Sequence, residues 1–137
     1  MADVKFEDYS VQVKNALADV SRAALHEAAG EIVSQTKRNS RVKTGKTKNS
    51  FQYKVDGSEQ ETTAYMGSND ENAIWEELGT GEYALYGDGR KGGWVYVDED
   101  GNGHFTHGKK PSRAFYKAYT SLKSKIINMI QNRFKGL

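Results

Sequence analysis

Between residues 8 and 37 the apolar side chains Val13, Leu17, Val20, Ala24, Ala28 and Ile32 recur at intervals of three and four, and Ala16, Leu25 and Ala29 widen the stripe. That period predicts a long amphipathic helix. Asp8 or Ser10 is placed to cap it, Gly30 weakens it locally, and the polar run 36–40 ends it. Its alanine-rich face suits the close approach of another helix. A second stripe of Phe115, Tyr119, Leu122, Ile126, Met129 and Ile130 predicts a C-terminal helix that begins near Pro111 and Ser112 and ends near Gly136. Between the two helices the period falls to two. Phe51, Tyr53 and Val55 alternate with Gln52 and Lys54, Asp56 and Gly57 signal a turn, and Thr62, Ala64 and Met66 face opposite to Thr63 and Tyr65. This is the pattern of a hairpin. Residues 94–97 and 104–107 flank the polar, glycine-containing stretch 98–103 and predict a second one. The expectation is a single α+β domain over residues 1–137: a long N-terminal helix, a small antiparallel sheet of about four strands, and a C-terminal helix packed on that sheet.

The stretch 72–81, Asn-Ala-Ile-Trp-Glu-Glu-Leu-Gly-Thr-Gly, concentrates a bulky aromatic, two carboxylates and a Gly-Thr-Gly hinge at one spot. Residues 73–78 have room for two turns of helix, which gather Ala73, Trp75 and Leu78, and Gly79 is suited to ending it. Segment 79–93 then holds Gly79, Gly81, Gly87, Gly89, Gly92 and Gly93 among Tyr83, Leu85 and Tyr86, which predicts a long flexible loop or arm. A loop of this size inside a compact domain has a job or is mobile. Its aromatic side chains point to ordering on a partner. Trp75, Leu78, Gly79, Thr80 and Gly81 are therefore the candidates for holding the hinge, with Tyr83 and Tyr86 for contacting the partner.

Taken with Thr44, Gly45 and Ser50 upstream and Pro111, Phe115 and Ala118 downstream, this order of signals resembles the head-to-tail joining, or tail-completion, proteins of long-tailed bacteriophages. In that family a Thr-Gly, leucine, basic and serine block opens the sheet. A Tyr-Ala and Glu-x-Gly-Thr block sits mid-chain, and a Pro-Phe plus alanine block starts the last helix. The chain keeps order and spacing over residues 44–118 and departs with Lys46 in place of leucine, Asn72 in place of tyrosine and Ala114 in place of proline. The resemblance implies a virion structural protein, made in the host cytoplasm. It would assemble as a homo-oligomeric ring of six copies in the neck, between the head connector and the tail tube, around the path of the genome. Other neck and tail proteins would be its partners.

Charge adds to this picture through its distribution. Net charge is +2, yet residues 1–31 carry 3 basic and 6 acidic groups, 32–55 carry 7 and none, 56–100 carry 2 and 12, and 101–137 carry 8 and none. Such blocks pair a basic face with an acidic face of the next copy, turn a basic face to nucleic acid, or meet within one molecule. Lys109, Lys110, Arg113 and Lys117 head the last block and are the candidates for non-specific contact with DNA in a channel. A small basic nucleic-acid-binding protein is the alternative from another class. With 36% hydrophobic but 11% aromatic residues, the chain is polar without having the composition of a disordered one. There is no cysteine, which excludes disulfides and thiolate chemistry. The charged first eight residues are followed by no apolar run, so neither a signal peptide nor a membrane span is expected.

Several motifs imitate chemistry. Thr44, Gly45, Lys46 and Thr47 end like a phosphate-binding loop, but Ser40 stands where the leading glycine belongs, and the segment runs from helix to strand rather than strand to helix. Asp98, Asp100, Asn102 and Gly103 match half of a calcium loop whose twelfth position is Lys109, so a hairpin turn is the better reading. His104 and His107 suggest a metal-dependent hydrolase, yet residues three apart on a strand point to opposite faces. Glu76 and Glu77 diverge by about 100 degrees on a helix and make a poor acid and base pair. No cofactor, metal or enzymatic activity is expected.

Overall fold

A computed structural model describes residues 8, 10–41, 45–57 and 61–136. The order of elements is α1 (Ser10–Asn39), α2 (Lys46–Asn49), β1 (Phe51–Gly57), β2 (Thr62–Ser68), α3 (Asn72–Leu78), a 3-10 turn (Gly81–Tyr83), β3 (Trp94–Val97), β4 (Gly103–Thr106) and α4 (Ala114–Lys135). Thr44, the first residue of the phosphate-loop imitation, lies outside the described residues; Lys46 and Thr47 sit in the single turn of α2.

α1 runs for 30 residues, and the Asp8 carboxylate accepts the Ser10 amide at 2.8 Å, the capping role its position suggested. The helix ends at Asn39, inside the polar run 36–40. Thr36 is fully buried because its hydroxyl turns back to donate to the Ile32 carbonyl at 2.7 Å, which satisfies it without disturbing the backbone. α4 lies antiparallel to α1: Asn39 at the end of α1 donates to the Ala114 carbonyl at the start of α4 at 3.1 Å, and near the far end of α4 Arg133 pairs with Glu27. The core between them is built on Ala28, Ile32, Ala118 and Ile126, with Phe115, Leu122, Met129 and Ile130 packed around it. Small residues at the crossing let the backbones approach. Tyr119, expected in the stripe, is exposed, and Ala114 and Ala118 take the buried positions instead.

β1 and β2 form the first hairpin, with Tyr53 opposite Met66 and Val55 opposite Ala64. It lies against α1: the Tyr53 ring meets His26 edge-on at 5.7 Å and approaches Gly30, and Met66 reaches the helix core. β3 and β4 form the second hairpin, with Val95 opposite Phe105.

Two expectations about the sheet are corrected. The strands form two separate two-stranded sheets, and α4 packs on α1 rather than on a sheet. The reason lies in the connections. The segment after α3 is tied to residues 107–109: the Thr80 and Glu82 amides donate to the Lys109 and His107 carbonyls, and the Lys109 amide donates to the Thr80 hydroxyl, so the second hairpin is anchored to that segment and not to the edge of β2. The α1 face that a joined sheet would cover is already taken by α4 and the first hairpin. Among the described residues no helix is long and apolar enough to cross a membrane.

Candidate functional site

α3 is short, and its sequence explains where each side chain goes. Ala73 is buried, Leu78 half-buried, and Trp75 is 55% exposed on the outer side. Gly79 ends the helix at φ 77°, donating its amide to the Trp75 carbonyl at 2.8 Å. A Cβ at Gly79 would sit 2.8 Å from the Lys109 carbonyl oxygen, and one at Gly81 would sit 2.2 Å from the His107 oxygen and 2.8 Å from the Trp94 ring. Both positions also have positive φ, so the glycines answer to a close backbone approach as well as to conformation. Thr80 completes the junction: its amide donates to the Lys109 carbonyl, and its hydroxyl accepts the Lys109 amide, both at 2.9 Å. The Gly-Thr-Gly run is a seam sewn to the strap that leads into α4.

The adjacent glutamates serve the same junction. The Glu77 carboxylate accepts the Phe115 and Tyr116 amides, each at 3.0 Å, capping α4 from nearly forty residues away in sequence. Arg113, the residue before the helix, is in the left-handed region at φ 55°, with its guanidinium over the Tyr116 ring at 4.3 Å. That turn aims the first free amides of α4 at Glu77. Glu76 pairs with Arg41 at 3.0 Å and with Lys109, and its backbone carbonyl accepts the Ser112 amide at 2.7 Å. At the other end of α3, Asp70 accepts the Asn72 amide at 3.0 Å and the Thr47 hydroxyl at 2.8 Å. The Asn72 amide, then the Thr47 hydroxyl, holds its carboxyl below the ordinary carboxylate range.

Beyond the seam the chain folds back, the Leu85 amide donating to the Leu78 carbonyl at 2.8 Å, and an open cleft of about 450 Å³ results. Trp75, Leu78, Leu85, Tyr86 and Trp94 give it an apolar wall, the backbone of 79–81 forms part of its lining, and Asp88 and Arg90 stand at its edge, with the Arg90 guanidinium 5.6 Å from the Trp94 ring centroid. Tyr86, at 73% exposure, forms a lip. Six of the seven residues expected from the sequence at an interface therefore line one cleft. The seventh, Tyr83, lies outside that lining, with Lys110 5.7 Å over its ring. Trp94, Leu85 and Arg90 complete the walls without having been singled out. Only the pair Gly92 and Gly93, which bends the chain ahead of Trp94, hinted at its position.

The four candidate DNA-facing cations do not form a uniform set. Lys109 is neutralised by Glu76, Lys110 and Arg113 lie over aromatic rings, and Lys117 is exposed on the first turns of α4. Farther along α4, Lys125 pairs with Glu31 at 3.2 Å and Arg133 with Glu27. The two histidines are divided between carboxylates: His104 meets Asp98 at 2.6 Å and His107 meets Glu82 at 3.3 Å. Asp98 also accepts the Asp100 and Asn102 amides, at 3.0 and 2.9 Å, which makes the calcium-loop imitation a hairpin turn. Among the described residues no three His, Asp or Glu side chains converge as ligands for one ion.

Residues 5–86, more than half of the chain, match the model of the family described as "Bacteriophage HK97-gp10, putative tail-component". The span takes in α1, the first hairpin, α3 and the glycine seam, and stops on the Tyr86 lip. No curated protein and no solved structure matches the chain.

Proposed function

Because the chain belongs to the HK97 gp10-like family of bacteriophage tail components, we propose that it is a head-to-tail joining, or tail-completion, subunit. It assembles as a ring of six copies in the neck of the virion, between the head connector and the tail tube and around the DNA path. The observation that carries the subunit-interface part of this reading is the concentration of exposed apolar surface from α3 to β4: Ile74, Trp75, Leu85, Tyr86, Val95, Val97 and Phe105 are all exposed in the single chain. Large apolar side chains left exposed in this number point to a contact with another protein. Heterologous contact between unlike faces of identical copies is the geometry that closes into a ring. The reading asks binding of the chain and no chemistry. Lys110, Arg113 and Lys117 are the cations that would face the genome, by attraction to phosphate without reading of sequence.

The rival reading, a free-standing nucleic-acid-binding protein, needs an open basic stripe. Lys109, Lys125 and Arg133 already have carboxylate partners within the chain, which weakens it. The test is Trp75→Ala. It is expected to keep the circular dichroism of the parent, since the side chain is largely exposed, and to abolish joining of heads to tails in a complementation assay with purified heads and tails. Joining at the parental level would count heavily against the proposal.

A further inference from the structure

The stripe of α1 outlasts its cover. Ala24, Ala28 and Ile32 are buried against α4 and the first hairpin, but the same stripe continues through Val20 to Leu17 and Val13, which are 41% and 53% exposed. Leu17 and Val13 lie seven and eleven residues before Ala24, whole numbers of turns to within about 20 degrees, so they face the same way as the core. The Arg133 contact with Glu27 places the end of α4 beside the middle of α1, so the first turns project beyond it.

We infer that the cleft bounded by Trp75, Leu78 and Tyr86 receives Val13 and Leu17 of a second copy of this chain; this rests on the assembly reading above and names its contact. The two surfaces are apolar, and among the described residues nothing covers either. They do not reach each other within one copy. α3 adjoins the C-terminal end of α1 through Arg41 and Glu76, and Leu17 is 22 residues, about 33 Å, from that end. A contact between opposite ends of identical subunits repeats from copy to copy, as ring closure requires. The volumes agree, since one large side chain leaves a cavity on the order of 150 Å³ and the cleft holds about 450 Å³. Charge is balanced on both sides, residues 8–22 carrying two cations and two carboxylates and the charged edge of the cleft being Asp88 with Arg90, so the apolar fit decides the contact.

The chain contains no cysteine, so paired cysteines report the contact without background. The full-length variant carrying Leu17→Cys and Tyr86→Cys, folded by circular dichroism, is oxidised mildly and run on a non-reducing gel; Val13→Cys with Tyr86→Cys repeats the test one turn away. The expected result is a ladder of covalent oligomers from each double variant, and only dimers when the two single variants are mixed. In parallel, Leu17→Asp places a carboxylate in the apolar cleft and should raise the dissociation constant between copies at least about a hundredfold. If native mass measurement shows oligomers but neither pair cross-links and Leu17→Asp assembles like the parent, the cleft serves another occupant. The inference then fails while the assembly reading stands. A chain that stays monomeric both alone and with tail tubes overturns the reading and the inference with it.

Discussion

Glu77 makes the sharpest test of how α3 and α4 are joined. A helix start leaves amides without partners, and here two of them, at Phe115 and Tyr116, are satisfied by one carboxylate while Lys117 begins the helical ladder by donating to the Arg113 carbonyl at 2.8 Å. Glu77→Ala removes both bonds. Loss of a cap costs about 1 kcal/mol and up to about 2. The carboxylate at the positive end of the helix adds about 0.3–1. Since Glu77 is only half-buried, water restores part of the loss, and the net cost works out at about 2 kcal/mol. With a urea dependence of about 1–3 kcal/mol per molar, the midpoint should fall by roughly 1 M with unchanged slope. Glu77→Gln keeps one acceptor and loses the charge, so it should cost about half as much. The assay is urea unfolding followed by far-ultraviolet circular dichroism, with hydrogen exchange of the Phe115 and Tyr116 amides as the local readout. If Glu77→Ala stays within about 0.5 kcal/mol of the parent, the level of an ordinary surface change, the capping argument is wrong.

Gly81→Ala and Gly92→Ala share a positive φ but differ in surroundings: the first meets the His107 oxygen and the Trp94 ring, the second meets nothing within 4 Å. Thermal unfolding should show a cost of about 1–2 kcal/mol for Gly92→Ala and distinctly more for Gly81→Ala; equal costs would mean the seam does not constrain the backbone. Ala118→Leu, at a fully buried position facing α1, should destabilise by about 1–3 kcal/mol in the same assay through overpacking. For pH, Asp70 has its folded pKa lowered by the Asn72 amide and the Thr47 hydroxyl, so its contribution is present above its unfolded pKa and is lost as pH falls through the folded value. Acid titration of stability should therefore be flatter in Asp70→Asn than in the parent below about pH 4.

Much of the fold was legible because it is local. The three-and-four spacing of Val13 to Ile32 and of Phe115 to Ile130 located α1 and α4, and alternation around residues 56–57 and 98–103 located both hairpins. What escaped was long-range. Whether β2 and β3 share a sheet depends on backbone bonds between residues 80–82 and 107–109, and no periodicity records them. The cleft was half visible: tryptophan, tyrosine and paired glycines announce a contact, but Trp94 joins Trp75 only once the chain folds back at Leu85. Glu76 and Glu77 diverge by about 100 degrees around α3. That divergence is what lets one reach Arg41 and Lys109 while the other caps α4.

The charge blocks acquire a different meaning in three dimensions. Read along the chain, they offered acidic 56–100 to the basic blocks of a neighbour. In the fold, Glu76 already joins both basic blocks through Arg41 and Lys109, and the last block is tied to the first through Lys125 with Glu31 and Arg133 with Glu27. These pairs are mostly exposed and contribute little each, but every carboxylate engaged within the subunit is less available to the next. Association between copies, as proposed here, therefore draws its strength from apolar surface such as the Trp75 cleft and the projecting turns of α1. Charge is left to orient the approach. Assembly should then respond weakly to salt and strongly to truncation of Trp75 or Leu17. Sedimentation at about 50 mM and about 500 mM salt separates the two, and dissociation at the higher salt with little effect of Trp75→Ala would return the interface to the charged blocks.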